Sequence, residues 1–210
     1  MLDVVKNPET LLSPEYMEYY TYKLSGVTTF NDKNCYMIDF DQRADVEDPL
    51  FKGTIYVDID NLAIAGIQFR LSDIGLQKAA EYLVKKKPIG MKIETLAANY
   101  LVNYSMFENK WYLNYVRSEL KFKCKWPKRL FTSTYTIMAE MAVTDIDTAN
   151  LTKYKFSESA KMTDIFSEQV SAFFDENYWG DYNYIKPDEN IQVAISKLSN
   201  KLRRRQGSTN

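Results

Sequence analysis

Carboxylates are the first candidates for chemistry in this chain. Asp39, Asp41, Asp45, Glu47 and Asp48 crowd one short stretch. Their oxygens could serve Ca²⁺, which takes about six to eight hard ligands. The stretch lacks the glycine and the closing glutamate of a calcium loop, and an acidic connection between two strands accounts for the same residues. That second reading is favoured. Asp58 with Asp60, and Asp145 with Asp147, are spaced to share one side of an extended segment. Such pairs do acid–base work in glycoside hydrolysis when a cleft shifts their protonation. An ordinary hairpin also places acids there, and no activated serine or lysine motif accompanies them.

Basic and aromatic residues come next. Lys121, Lys123 and Lys125 alternate with Leu120, Phe122, Cys124 and Trp126. The lysines read as the solvated face of a strand, where they also discourage edge pairing. The rival reading is contact with anionic headgroups or acidic glycans, helped by Lys85-Lys86-Lys87 and Arg203-Arg204-Arg205. With a formal net charge of −1 the overall field is weak, which favours the solvated face and argues against a nucleic-acid partner. Most tyrosines are expected in the core or on the sheet surface. A minority could line a groove and stack on a sugar or sheath an acyl chain, with Tyr56, Tyr100, Tyr104, Tyr115 and Tyr135 as the candidate set. Histidine is absent, which removes Ser–His and Cys–His dyads and every His-ligated metal or haem site. The two cysteines, Cys35 and Cys124, cannot build a thiolate cage and read as buried free thiols. No metal, cofactor or catalytic residue is assigned, and the chain is not expected to be an enzyme.

The elements that carry these residues are legible from period and punctuation. Tyr and Phe dominate a 14% aromatic content, which favours half-buried pleated surface. Residues 1–15 form a lead-in broken by Pro8 and Pro14. Strand composition begins near Tyr20, and Asn31 to Asn34 reads as a turn. Tyr36, Ile38 and Phe40 alternate with polar positions. Phe51, Gly53, Ile55 and Val57 fall on one face, with Lys52, Thr54, Tyr56 and Asp58 on the other, the clearest half-buried strand of the chain. Asp60-Asn61 marks a turn, and residues 62–71 return as a strand. Residues 73–87 switch to helical period until Pro88. Three long strands are predicted near 91–107, 110–126 and 130–145. Helices are predicted over 162–176 and from 187 to the Arg203 cluster, joined by an aromatic turn at 178–184. The last residues, 206–210, are expected to be disordered.

These segments carry a family resemblance. Cys35-Tyr36-Met37-Ile38-Asp39-Phe40, residues 51–60, Leu62-Ala63-Ile64, residues 110–117 and residues 178–189 together resemble the C-terminal domain of bacterial cell-envelope proteins that bear a carboxypeptidase-regulatory-like domain. The resemblance spans residues 16–205. It implies a piece of a longer exported protein, periplasmic or outer-membrane associated, although the chain opens with no basic-then-apolar leader. That family offers no catalytic residues. The hairpin around Asp58 and the long strands are also similar in architecture to lipoprotein-carrier proteins, whose half-open barrels hold acyl chains.

The expectation is therefore an α+β protein. A single domain over residues 16–205 would hold a strongly curved antiparallel sheet, a half-open barrel of seven or more strands, covered by two or three helices. It would be a non-catalytic envelope domain with an apolar or lipid-like ligand on the concave face. The alternative is a structural or protein-interaction module with an envelope protein as partner. No transmembrane helix is expected, since no apolar run is long enough.

Overall fold

The computed structural model describes residues 3–156, apart from Lys128, Asn150 and Tyr154. The helices expected beyond residue 160, the aromatic turn and the terminal tail lie outside the described residues. The chain divides into two compact units, Met1–Val143 and Thr144–Asn210.

The first unit is α+β and mostly sheet. A short 3₁₀ turn, Pro8–Thr10, and a one-turn helix α1, Pro14–Met17, precede seven strands. These are β1 (Tyr20–Phe30), β2 (Lys33–Gln42), β3 (Phe51–Asp58), β4 (Ile64–Leu71), β5 (Lys92–Phe107), β6 (Lys110–Lys125) and β7 (Ser133–Ala142). Helix α2, Asp73–Leu83, sits between β4 and β5. The strands form one antiparallel sheet in chain order, and β1 and β7 are not hydrogen-bonded to each other. Tight turns set the order. Asn31-Asp32 and Glu108-Asn109 all take positive φ, from 48° to 61°. Two consecutive positive-φ residues match the right-handed twist of the flanking strands. The expected turns at Asn31 and Glu108 are thus found where the sequence places them.

Register fixes two faces. Ile38, Ile55, Ile67, Val102 and Val116 stand opposite one another across five strands. They belong to a core with Phe40, Phe69 and Tyr104, into which Val4 and Leu11 of the lead-in pack. Helix α2 lies on the same face, where Ala79 joins Leu71 and Ala98. The lead-in and α2 therefore cover part of the apolar face, while over β7 Tyr135 and Ile137 stay half exposed. Burying aliphatic side chains there stabilises by about 1.5–3 kcal/mol each.

Gly53 is needed for that face to close. A Cβ at this position would meet the carbonyl oxygen of Gln68 and lie 2.6 Å from Phe69 Cα. The Phe69 ring is edge-on to Phe51 at 5.3 Å and stacked on Tyr100 at 5.1 Å.

The described part of the second unit, Thr144–Phe156, contains no strand. Asp145 accepts from the N–H of Ile146 and Asp147 from that of Ala149, both at 2.8 Å. These local turns occupy the carboxylate pair that sequence spacing singled out.

Candidate functional site: a polar trough across six strands

The opposite face of the sheet is polar. Between β1 and β6 it carries a trough of about 870 Å³. The lining follows from register. The backbone of Tyr22, Phe40, Gly53, Phe69 and Tyr100 forms one cross-strand row, whose side chains, absent at Gly53, lie on the core side. That row is the floor. Residues before and after it on each strand point to the polar face and make two walls. One wall runs Asp39, Thr54, Gln68, Leu101 and Arg117, with Lys23 at its end. The other holds Asp41, Lys52, Arg70, Asn99 and Glu119, with Thr21 at its end. The walls are two residues apart along each strand, about 6.7 Å between Cα rows.

The wall side chains are partly tied. Thr54 Oγ1 donates to Asp39 Oδ1 at 2.7 Å. Lys52 Nζ pairs with Asp73 Oδ2 at 2.9 Å, and Arg70 Nη1 lies 3.7 Å from Asp73 Oδ1. The hydrogen bond from Lys52 and its charge hold the Asp73 carboxyl below the usual range. Asp73 is in the first turn of α2, where the helix dipole also favours an anion. The helix N-terminus thereby anchors two trough cations. Arg117 Nη2 is 3.9 Å from Glu119 Oε2, a loose pair.

One step further along the strands, the Phe30 ring stacks on Tyr56 at 4.1 Å and occupies the space where a Cβ of Gly66 would lie. Gly66 stands opposite Tyr56.

The five candidate tyrosines do not come together. Tyr100 borders the trough but its ring packs beside Phe69 and Phe51. Tyr104 is buried in the core, and its hydroxyl donates to Asp3 Oδ1 at 3.0 Å and accepts from the Val5 N–H at 3.1 Å. Tyr56 stacks on Phe30 on the polar face, and burial raises its pKa. Tyr115 donates to Glu140 on β7; burial, then that hydrogen bond, push its pKa up to about 12. Tyr135 is half exposed on β7.

The acid-rich loop is organised from beneath by a residue the sequence reading passed over. Gln42 is buried, and its amide donates to the carbonyls of Val46 at 2.6 Å and Asp48 at 2.8 Å. Its Oε1 accepts from the Leu50 N–H and from the Ser72 hydroxyl. Ser72 caps α2 by accepting from the Gly75 N–H at 2.9 Å. The signal that could have found Gln42 is its position, core-facing at the end of an alternating strand. Arg43 clasps Asp45 at 3.0 and 2.7 Å beside a smaller depression of about 380 Å³. Among the described residues no group of three or more His, Cys, Asp or Glu could hold a metal ion.

Asp58 is almost wholly buried, yet its Oδ1 accepts from the backbone N–H groups of Asp60 and Asn61, at 2.9 and 3.1 Å. That is a turn-forming role. Cys35 and Cys124 are buried free thiols, as expected. Burial, then the Asp58 charge, push the Cys35 thiol up, away from the reactive thiolate. Lys121, Lys123 and Lys125 are exposed while Phe122 and Cys124 are buried, the alternation the sequence implies.

A family model, DUF5686, a family of unknown function, matches residues 10–123, just over half the chain. The chain belongs to DUF5686. Every residue lining the trough falls within the matched span, whereas β7 lies beyond it. No curated protein and no solved structure matches the chain. No helix among the described residues is long and apolar enough to cross a membrane.

Proposed function

We propose that this DUF5686 chain is a non-catalytic binding domain of a cell-envelope protein, and that its ligand seats in the trough. The observation that carries the reading is the trough itself, whose two walls are built by register from six consecutive strands. The envelope setting rests on the aromatic segments described above. The contact of Phe30 on β1 with Gly66 on β4 supports a sheet that curls toward its polar side, since flat strands three places apart stand about 14 Å from one another. The lining favours a polar ligand over an acyl chain, because Leu101 is the one aliphatic side chain among the wall residues. Asp39 on β2 and Glu119 on β6 stand four strands apart in the sheet order. Asp41 is exposed among the described residues.

Native mass spectrometry after exposure to aqueous and organic extracts of bacterial envelopes tests this reading. A retained species from the aqueous extract, lost in Arg70→Ala, is the expected result. Retention from the organic extract alone would restore the lipid reading. No retained species, or a polymer shortened by the protein, would overturn the proposal.

One observation favours a second reading, a protein-interaction module. Among the described residues β7 is an edge strand, with Tyr135, Ile137 and Met138 all half exposed. It holds no Lys, Arg or Pro, the residues that blunt edges. A partner's strand could extend the sheet there. Ile137→Lys would then abolish partner binding and leave the trough's ligand untouched.

A further inference from the structure

We infer that the trough's ligand is a neutral oligosaccharide lying across the strands. The inference rests on the binding reading above and adds the ligand's chemistry. Charge decides first. The walls carry four cations, Lys23, Lys52, Arg70 and Arg117, among three carboxylates, Asp39, Asp41 and Glu119. Asp73 adds a fourth carboxylate against Lys52 and Arg70. A polyanion laid in this trough meets a carboxylate within a strand spacing of every favourable cation, and a polycation meets the converse. Such like-charge juxtapositions are what charged partners avoid.

Hydrogen-bonding capacity decides next. A hydroxyl both donates and accepts. The walls offer it carboxylate acceptors, guanidinium and ammonium donors, and the carboxamides of Gln68 and Asn99, which do both. A sugar finds both kinds of partner along the trough, with β2 supplying acceptors alone through Asp39 and Asp41. Leu101, on β5 next to the Arg117 end of one wall, gives an apolar patch for a ring's C–H face.

Geometry decides last. The trough of about 870 Å³ runs from β1 to β6, about 24 Å along the sheet, which suits a short chain of sugar rings laid across the strands. A peptide is the weaker fit. Sheets take extended peptides at an edge, through unpaired N–H and C=O groups, whereas this trough lies on a face whose backbone is already paired.

Isothermal titration of the whole chain with maltohexaose, cellohexaose and N-acetylated chitohexaose tests the inference, with oligogalacturonate and oligolysine as charged comparators. At least one neutral hexasaccharide is expected to bind, with an affinity unchanged between low and high salt. Gln68→Ala and Asn99→Ala should each weaken it by about 3- to 10-fold, the loss of one net hydrogen bond. Both side chains lie on the polar face, away from the core, and Lys125→Ala, which is off the trough, should change nothing. Binding of a charged comparator alone, lost at high salt, would overturn the oligosaccharide while leaving the trough as a binding site. Failure of all three neutral sugars, with an aqueous envelope species still retained, would do the same. No binding by any probe, and no retained species, would remove both.

Discussion

Gln42 shows how one buried amide can organise an acid-rich loop without a cation. Four hydrogen bonds converge on it, two donated to loop carbonyls and two accepted from Leu50 and Ser72. Gln42→Leu keeps the volume and removes all four. Each buried group left unpaired costs about 1–3 kcal/mol, so the variant should lose about 3 kcal/mol or more in urea unfolding. Its residue 43–50 amides should also exchange faster, and a loss under 1 kcal/mol would show that the loop holds itself. The sequence did not reveal this hub because glutamine at a strand end has no motif; its role is set by what a neighbouring loop and helix cap bring to it. Tyr100 and Tyr104 illustrate a related point. An aromatic at strand period looks alike in sequence whether it faces a groove or a core; in the structure Tyr104 is buried against the lead-in's Asp3, while Tyr100 packs on Phe69 at the border of the trough.

Elements were far more legible than sites. Alternation from Phe51 to Tyr56 assigns both faces of β3 correctly, because one face meets the core and the other is polar, whereas Asp58, past a register shift at Tyr56/Val57, is buried. The turns declared themselves by polar residues able to take positive φ. The trough did not, because its walls come from six strands, and no local pattern encodes that Gln68 stands opposite Leu101. The β3–β4 hairpin offers a test at this scale. Asp58 ties its turn through two backbone N–H groups, so Asp58→Ala should cost about 1–3 kcal/mol in urea unfolding. Asp58→Asn, which keeps an acceptor oxygen, should recover more than half of that loss. Equal losses in the two variants would mean that the carboxylate's charge, not its hydrogen bonds, matters.

For the whole molecule, tyrosine protonation links stability to alkaline pH. Burial is the largest cause of the raised pKa at Tyr20, Tyr104 and Tyr115, and Tyr115 reaches about 12. An unfolded tyrosine ionises near pH 10. A raised folded value means that the stabilising contribution is complete below about pH 10. It is lost as pH climbs from there through about 12, where Tyr115 ionises in the folded protein as well. The urea midpoint should therefore fall over that window, with the phenolate absorbance of these residues appearing together with unfolding. A midpoint constant across the window would contradict the burial that the sheet gives them.

The strand order carries a consequence for how such a chain comes into being. Each strand's mate is its neighbour in sequence, so joining most pairs closes a short loop at little entropic cost, the exception being β4 with β5, whose connection holds α2. Pairing between strands distant in sequence order is what slows most β proteins, and the described sheet has none. The β5–β6 hairpin, with sixteen residues in each arm around a two-residue turn, is a natural seed, and hairpins of this kind close in about 1–10 μs. Synthesis proceeds at about 5–20 residues per second. A chain that emerges one strand at a time can thus pair each newcomer with the strand before it, and none has to wait, exposed, for a distant mate.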